Sequence, residues 1–171
     1  MTKIKKSTVI ATTLLGLCLY ASTTLALEVA KEDIILEVSG NISVTNTQQG
    51  TAVFDRKTLS SLPVTEIQTE TPWTNGTLHF EGVLLRDLME HLKATGNTLQ
   101  ATAINDYAID IPIEDFQEHD VIIAYKMNGK VMSIRDKGPL WIIYPWSDTP
   151  SLRSELYHSR SIWQLIKISI K

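Results

Sequence analysis

Three groups of polar and aromatic residues have the types and spacing to bind a ligand. Arg135, Asp136 and Lys137 precede a Gly-Pro turn and the apolar, aromatic residues 140–146. Trp73 follows a proline in a loop, and residues 105–107 (Asn-Asp-Tyr) form a polar turn. Arginine beside aromatic rings suits an anionic or heteroaromatic ligand, because the guanidinium donates paired hydrogen bonds and the rings stack. The sequence therefore predicts a ligand site near Arg135.

The same residues have a purely structural interpretation. Arg135 and Asp136 can pair with each other or with neighbours, while the aromatic side chains fill the core. Residues 140–144 are a short continuous apolar run, typical of a strand buried on both faces. The sequence alone leaves both interpretations open.

No recognised catalytic or metal motif accompanies these groups. The four histidines lack zinc-ligand spacing, and no P-loop, dinucleotide fingerprint or G-x-S-x-G elbow occurs. Asp106 with Asp110, or Glu114 with Asp115, could form acid–base pairs, but a turn aspartate and an acidic first helical turn explain them as well. We expect no catalytic residue and no metal ligand among them.

Residues 1–26 are typical of a secretory signal peptide. Three lysines precede an apolar stretch, and Thr24-Leu25-Ala26 fits a cleavage site. We therefore expect a periplasmic or secreted protein with residues 27–171 as a single domain. Cleavage would remove three lysines and leave 13 basic residues against 19 acidic ones, a formal charge of −6. That balance argues against nucleic-acid partners, and we expect no membrane insertion after cleavage.

Cysteine usage narrows the chemistry further. Cys18 is the only cysteine and lies in the predicted signal peptide. The mature chain would therefore have no disulfide to stabilise it. It would also have no thiolate for catalysis or for binding a soft metal.

Many short strands and few helices predict an α+β fold with mixed, mainly antiparallel sheets and one or two short helices. Leu85, Leu88 and Leu92 recur at helical spacing in the clearest amphipathic helix, which we expect Gly96 to end. Asp55 can cap a brief helix, Pro112 can start a short acidic one, and residues 128–129 (Asn-Gly) predict a hairpin. Residues 151–158 have no clear pattern. Strands are predicted over residues 34–44, 52–54, 64–71, 77–82, 99–104, 107–111, 121–127, 130–134, 140–144 and 162–170.

The order of several motifs resembles a known family. Residues 80–88 (Phe-Glu-Gly-Val-Leu-Leu-Arg-Asp-Leu) resemble its W-x-G-V-x-L-x-D-L helix entry, and residues 105–108 precede a strand and an Ile-Pro helix. Residues 137–145 follow the hairpin, and residues 161–168 resemble the S-x-K-W-L-x-x-I closing strand. Together these resemble the molybdopterin-binding domain of the sulfite oxidase family in a short, exported form.

The resemblance implies an α+β domain that holds a molybdenum-bearing pterin. It also implies a cysteine ligand in the loop after the strand at residues 64–71, within a C-x-G-N-R-type sequence. Residues 69–76 read Thr-Glu-Thr-Pro-Trp-Thr-Asn-Gly instead, without that cysteine or arginine. Glu70 or Thr71 could offer an oxygen, but neither is a soft ligand.

Two hypotheses follow. In the first, the domain keeps the fold without molybdenum chemistry and has no cofactor. It would bind a small anionic or heteroaromatic ligand, or a periplasmic or membrane protein partner, as an accessory or sensory module. The predicted ligand-binding residues are Trp73, Asn105, Asp106, Tyr107, Arg135, Asp136, Lys137 and Arg160. In the second, the chain is an oxidoreductase that holds molybdopterin without a cysteine ligand of its own, either by noncovalent contacts alone or with a cysteine supplied by a partner.

Overall fold

The computed structural model describes residues 27–171, so the predicted signal peptide lies outside the described residues. The α+β prediction is confirmed, with ten strands, four short α-helices and one 3-10 turn in that range. The strands are β1 (Leu36–Gly40), β2 (Ala52–Phe54), β3 (Val64–Thr69), β4 (Leu78–Leu84), β5 (Thr98–Ala103), β6 (Ala108–Pro112), β7 (Ile122–Met127), β8 (Lys130–Val131), β9 (Trp141–Ile143) and β10 (Leu165–Ile170). The helices are α1 (Arg56–Leu59), α2 (Leu85–His91), α3 (Ile113–Glu118) and α4 (Glu155–Arg160), and the 3-10 turn is Pro150–Leu152.

The strands form two five-stranded sheets. The first has the order β2-β1-β10-β5-β6, and its only parallel pair in the described chain is β1 with β10. The second has the order β3-β4-β7-β8, with β9 also paired to β7. All pairs of this second sheet are antiparallel. The sheets are therefore mixed but mainly antiparallel, as predicted.

Strand β9 passes through the centre of the core. Trp141, Ile142 and Ile143 are fully buried, as are Leu140 and Tyr144 on either side. The strand therefore buries both faces, as its continuous apolar sequence predicted. Beyond Ile143 the chain leaves the ladder, which makes the strand shorter than the predicted residues 140–144.

Hydrogen bonds join β9 to the residues that lead into β10. Trp141 and Trp163 form an isolated antiparallel bridge, and the Ile142 amide donates to the Ile162 carbonyl at 3.0 Å. The Leu165 amide donates to the Leu140 carbonyl at 3.0 Å. Because β9 belongs to one sheet and β10 to the other, these bonds connect the two sheets and fix the position of Trp163.

Local sequence explains several boundaries. Asn128 and Gly129 have φ values of 51° and 73°, the left-handed pair that a type I′ hairpin requires, so the hairpin prediction is confirmed. Gly138 follows the charged triplet, and a Cβ there would lie 2.1 Å from the Met132 carbonyl oxygen, so only glycine fits.

Several local predictions were wrong. Strand β3 ends at Thr69 instead of residue 71, β8 ends at Val131 instead of residue 134, and β10 begins at Leu165 instead of residue 162. The first strand ends at Gly40 instead of continuing to residue 44, because Gly40 turns away at φ 87°. Helix α2 ends at His91, before Gly96, because Lys93 already adopts φ 48°. There are four short α-helices where the overall prediction had one or two. Three of them lie where the sequence indicated a helix, and the fourth, α4, lies largely in the patternless segment and has no buried residue.

Asp55 ties the N-terminal segment to α1. Its carboxylate accepts hydrogen bonds from the amides of Thr58 (2.7 Å), Lys31 (2.8 Å) and Glu32 (3.0 Å), and the Thr58 side chain completes a capping box. The backbone hydrogen bonds from Thr58 and Lys31 hold the pKa of this carboxyl well below its usual range. The predicted cap is thereby confirmed.

We expect Asp55→Asn to lower the melting temperature at neutral pH and to flatten its decline in acid. A lowered folded-state pKa means that the ionised group stabilises the fold above its unfolded-state pKa of about 3.9, and that this stability is lost as the pH falls below that value. Melting temperatures measured from pH 7 to pH 3 test this. Asp33→Asn is the control, since Asp33 is exposed. Equal pH dependence in wild type and Asp55→Asn would contradict the prediction.

Candidate functional site

An aromatic cluster surrounds Trp73, in the loop after β3. The Trp73 ring centroid lies 5.3 Å from Trp163, 5.8 Å from His158, 6.0 Å from Trp141 and 6.1 Å from Trp146. Most of these contacts are edge-to-face, which is the favourable arrangement for aromatic rings. The cluster therefore holds Trp73 against both the core and helix α4.

Short hydrogen bonds fix the loop that carries Trp73. The Thr71 hydroxyl lies 2.7 Å from the Thr74 hydroxyl and accepts from the Trp73 amide at 3.2 Å. One residue outside the loop anchors its start, because the Ser147 hydroxyl accepts from the Glu70 amide at 3.1 Å. The loop is thus positioned by its own side chains and by the segment after β9.

A cleft of about 360 Å³ opens beside this cluster, large enough for a small ligand. Its walls come from the Trp73 loop, the turn between β5 and β6, helix α4 and the residues that lead into β10. The lining residues are Trp73, Ala103, Asn105, Tyr107, Glu155, His158, Ser159, Ser161, Ile162, Trp163 and Gln164.

The predicted site residues divide into two sets. Trp73, Asn105 and Tyr107 line the cleft together, although they are far apart in sequence. The turn is held by the Tyr107 amide, which donates to Asn105 Oδ1 at 3.2 Å. Asp106, at φ 64° in the same turn, is exposed and outside the lining. Tyr107 is 50% exposed, so its ring is available to a ligand.

The charged triplet on which the sequence prediction centred lies outside the cleft lining. Arg135 and Asp136 are exposed in a turn, and neither side chain has a hydrogen-bond or ion-pair partner within residues 27–171. The Lys137 ammonium lies 4.1 Å from the centroid of Trp163 and 5.3 Å from that of Trp141. Lys137 therefore makes cation–π contacts with the aromatic cluster.

Arg160, another predicted ligand-binding residue, also lies outside the cleft lining and pairs with a carboxylate of the protein. Its guanidinium donates to both carboxylate oxygens of Asp115 at 2.9 Å, and the Tyr144 hydroxyl donates to the same carboxylate at 2.8 Å. Burial, followed by the Asp115 charge, raises the pKa of Tyr144 above its usual range, which keeps the hydroxyl a donor. Asp115, which lies in the acidic first turn of α3, thus anchors α4 through Arg160.

Sequence reasoning missed Glu155, His158, Trp163 and Gln164 as site residues. Trp163 and Gln164 belong to the closing motif that carried the family resemblance, but the motif alone does not indicate a cleft. Glu155 and His158 lie on α4, whose polar sequence has no apolar periodicity. The sequence near these two residues does not indicate their location, because contacts between α4 and distant parts of the chain determine it.

The comparisons with known proteins identify the family. The family model described as the oxidoreductase molybdopterin binding domain matches residues 39–148. The chain belongs to this family. The resemblance stated from the motifs is thereby confirmed.

A solved structure shows the same fold. The sulfane dehydrogenase SoxCD from Paracoccus pantotrophus superposes with a TM-score of 0.59 at 19% sequence identity. The match covers 85% of this chain and 40% of that chain, so the molybdopterin-binding domain here spans about two fifths of its length. No curated protein matches the sequence.

The residues present do not fit a molybdenum centre of the thiolate-bound kind. Residues 27–171 contain no cysteine, and within them no group of three or more His, Cys, Asp or Glu side chains is arranged to hold a metal ion. The cleft lining has one carboxylate, Glu155, one imidazole, His158, and no arginine or lysine to pair with a phosphate.

We expect Arg160→Met to destabilise the domain by about 3–5 kcal/mol, because it leaves the Asp115 carboxylate buried without its cation. Arg160 and Asp115 side chains are only 15% and 8% exposed. Urea unfolding measures the loss, and adding Asp115→Asn to the variant should recover part of it.

The matched control is Arg86→Met, which breaks the exposed pair between Arg86 and Asp120, whose side chains are 39% and 60% exposed. That change should cost at most about 1 kcal/mol. Equal effects of the two substitutions would show that the Arg160 pair does not anchor α4.

Proposed function

We propose that this domain is a ligand-binding module that keeps the molybdopterin-binding fold without molybdenum redox chemistry. The observation that supports it is the Trp73 cluster. The loop in which the family resemblance implies a cysteine carries Trp73 instead, and this ring contacts four other aromatic rings. A thiolate that tunes a metal has been replaced there by a surface suited to stacking.

The ligand proposed for the cleft is small and planar. Trp73, Tyr107 and Trp163 give it aromatic walls, and amide groups of Asn105 and Gln164 give it polar contacts. Stacking on aromatic side chains is worth about 1–3 kcal/mol for a nucleobase-sized ring. The sequence-based proposal of an anionic or heteroaromatic ligand includes such a molecule.

The biological setting is also a proposal. The lysine-rich start, the apolar stretch and the Thr24-Leu25-Ala26 site support export to the periplasm or beyond. No helix in the described part of the chain has the length and apolar character needed to span a bilayer. In that compartment the module would act as an accessory or sensory subunit and pass the ligand-bound state to a periplasmic or membrane protein partner.

The alternative is an oxidoreductase that holds molybdopterin through noncovalent contacts or through a cysteine from a partner. The family match favours it, since the matched model is a molybdopterin-binding domain. The lack of a thiol in residues 27–171 weighs against it, because metal affinity depends on the ligands.

Metal analysis of protein purified from its native host separates the two functions. We expect less than about 0.1 molybdenum per chain, because residues 27–171 offer no soft ligand to retain the metal. Mass spectrometry of the denatured supernatant would identify a retained organic ligand. Stoichiometric molybdenum, with pterin fluorescence released on denaturation, would establish the alternative.

The second test uses benzimidazole as a planar probe. We expect Trp73→Ala to weaken benzimidazole binding about tenfold, because one wall of the cleft loses its stacking surface. Trp73→Phe should restore most of the affinity, since it keeps an aromatic face. Isothermal titration calorimetry measures the dissociation constants, and melting curves verify that each variant is folded.

Arg135→Ala is the comparison variant in the same titration. A loss as large as that of Trp73→Ala would confirm the predicted role of Arg135 in binding. Unchanged affinity would assign the charged turn to the protein surface. If folded Trp73→Ala binds benzimidazole as wild type does, the proposed cleft is wrong.

A further inference from the structure

Some polar atoms of the cleft lining already form hydrogen bonds within the protein. Asn105 Oδ1 accepts from the Tyr107 amide, and Gln164 Nε2 donates to the Ile134 carbonyl at 2.7 Å. The hydroxyl of Ser159 donates to the Leu156 carbonyl at 2.7 Å. These bonds use one amide oxygen, one amide hydrogen and one hydroxyl donor that a ligand could otherwise contact.

Some acceptors in the cleft remain available to a ligand, and one of them is negatively charged. The Glu155 carboxylate has no hydrogen-bond or ion-pair partner within residues 27–171, and Gln164 keeps its amide oxygen. The donors left among the lining side chains are uncharged: the amide nitrogen of Asn105, the hydroxyl of Tyr107, the indole nitrogens of Trp73 and Trp163, and the second amide hydrogen of Gln164. His158 adds a ring nitrogen of each kind when neutral.

The nearby cations are engaged outside the lining. Lys137 lies over the Trp163 ring at 4.1 Å, and Arg160 is held by both oxygens of Asp115. Arg153 donates its Nε to the Trp146 carbonyl at 2.9 Å. Among the lining residues, Glu155 is therefore the only side chain with a fixed charge.

We infer that Glu155 is a specificity-determining residue, and that the cleft selects planar heteroaromatic amines over anionic heteroaromatics. A ring stacked on the aromatic walls would turn an N–H edge toward Glu155 and Gln164, whose oxygens accept from it. A carboxylate or phosphate at that edge would meet the Glu155 charge. This inference rests on the proposed function and narrows its ligand to one of the two classes.

Three probes that share one ring system test the inference: 2-aminobenzimidazole, benzimidazole and benzimidazole-2-carboxylate. They share the ring and differ in the substituent: an amino group, which adds a donor and makes the ring system largely cationic near neutral pH, a hydrogen, or a negatively charged carboxylate. Calorimetry on the wild-type protein should give 2-aminobenzimidazole an affinity about fivefold higher than that of the carboxylate, because attraction of the first and repulsion of the second, each the size of an exposed charged interaction, add. The unsubstituted ring should fall between them.

Glu155→Gln should bring the two affinities within about twofold of each other, because it removes the charge and keeps an acceptor. The matched control is Glu114→Gln, since Glu114 is also an exposed carboxylate in the first turn of a short helix, α3, and does not line the cleft. That control should keep the wild-type order of affinities.

Two outcomes would overturn the inference in different ways. If the probes bind in a manner that depends on Trp73, but with equal affinity or with the carboxylate tightest, the charge selection is wrong and the proposed function stands. If none of the three binds, or if their binding is unchanged in folded Trp73→Ala, the proposed function fails together with the inference.

Discussion

The contact between β9 and the residues that enter β10 is the constraint on which the rest of the site depends. The Trp141–Trp163 bridge and the Ile142–Ile162 hydrogen bond join a fully buried strand of one sheet to the approach of the other. They hold two tryptophans at a centroid distance of 6.3 Å. Trp73 packs against both rings, so the wall of the cleft is a consequence of how the sheets meet. The cleft is therefore built from core geometry as much as from loops.

Helix α4 forms the opposite wall by another kind of interaction. None of its residues is buried, so it gains little from the hydrophobic effect. The buried pair between Arg160 and Asp115, with Tyr144 as a further donor, fastens its last turn to α3 and to the end of β9. Breaking such a pair costs far more than forming it gains, because the remaining charge stays buried. The position of Glu155 and His158 thus depends on an ion pair that lies outside the cleft lining.

The features that were predictable from sequence are those specified by neighbouring residues. Asn128 and Gly129 specify their hairpin through left-handed φ values, and the Asp55 cap needs only Thr58. Residues 141–143 are identified by an uninterrupted apolar run. Long-range contacts explain the failures: α4 forms in a segment without periodicity, and Arg160 faces Asp115 from 45 positions away. The ligand site was predicted near residues 135–137 because a sequence shows where charged residues cluster. It does not show the direction in which their side chains point.

The conformation of the loop after β3 is held by contacts within the protein itself. In this chain the loop that follows β3 is held by Thr71, Thr74 and Ser147 through hydrogen bonds, and by Trp73 through aromatic contacts. None of these interactions requires a bound cofactor. Six residue pairs join β3 to β4, and β9 is fully buried. Neither feature depends on which residues the loop contains. Stability therefore resides in the two sheets and their junction, so the fold does not dictate the chemistry of this loop.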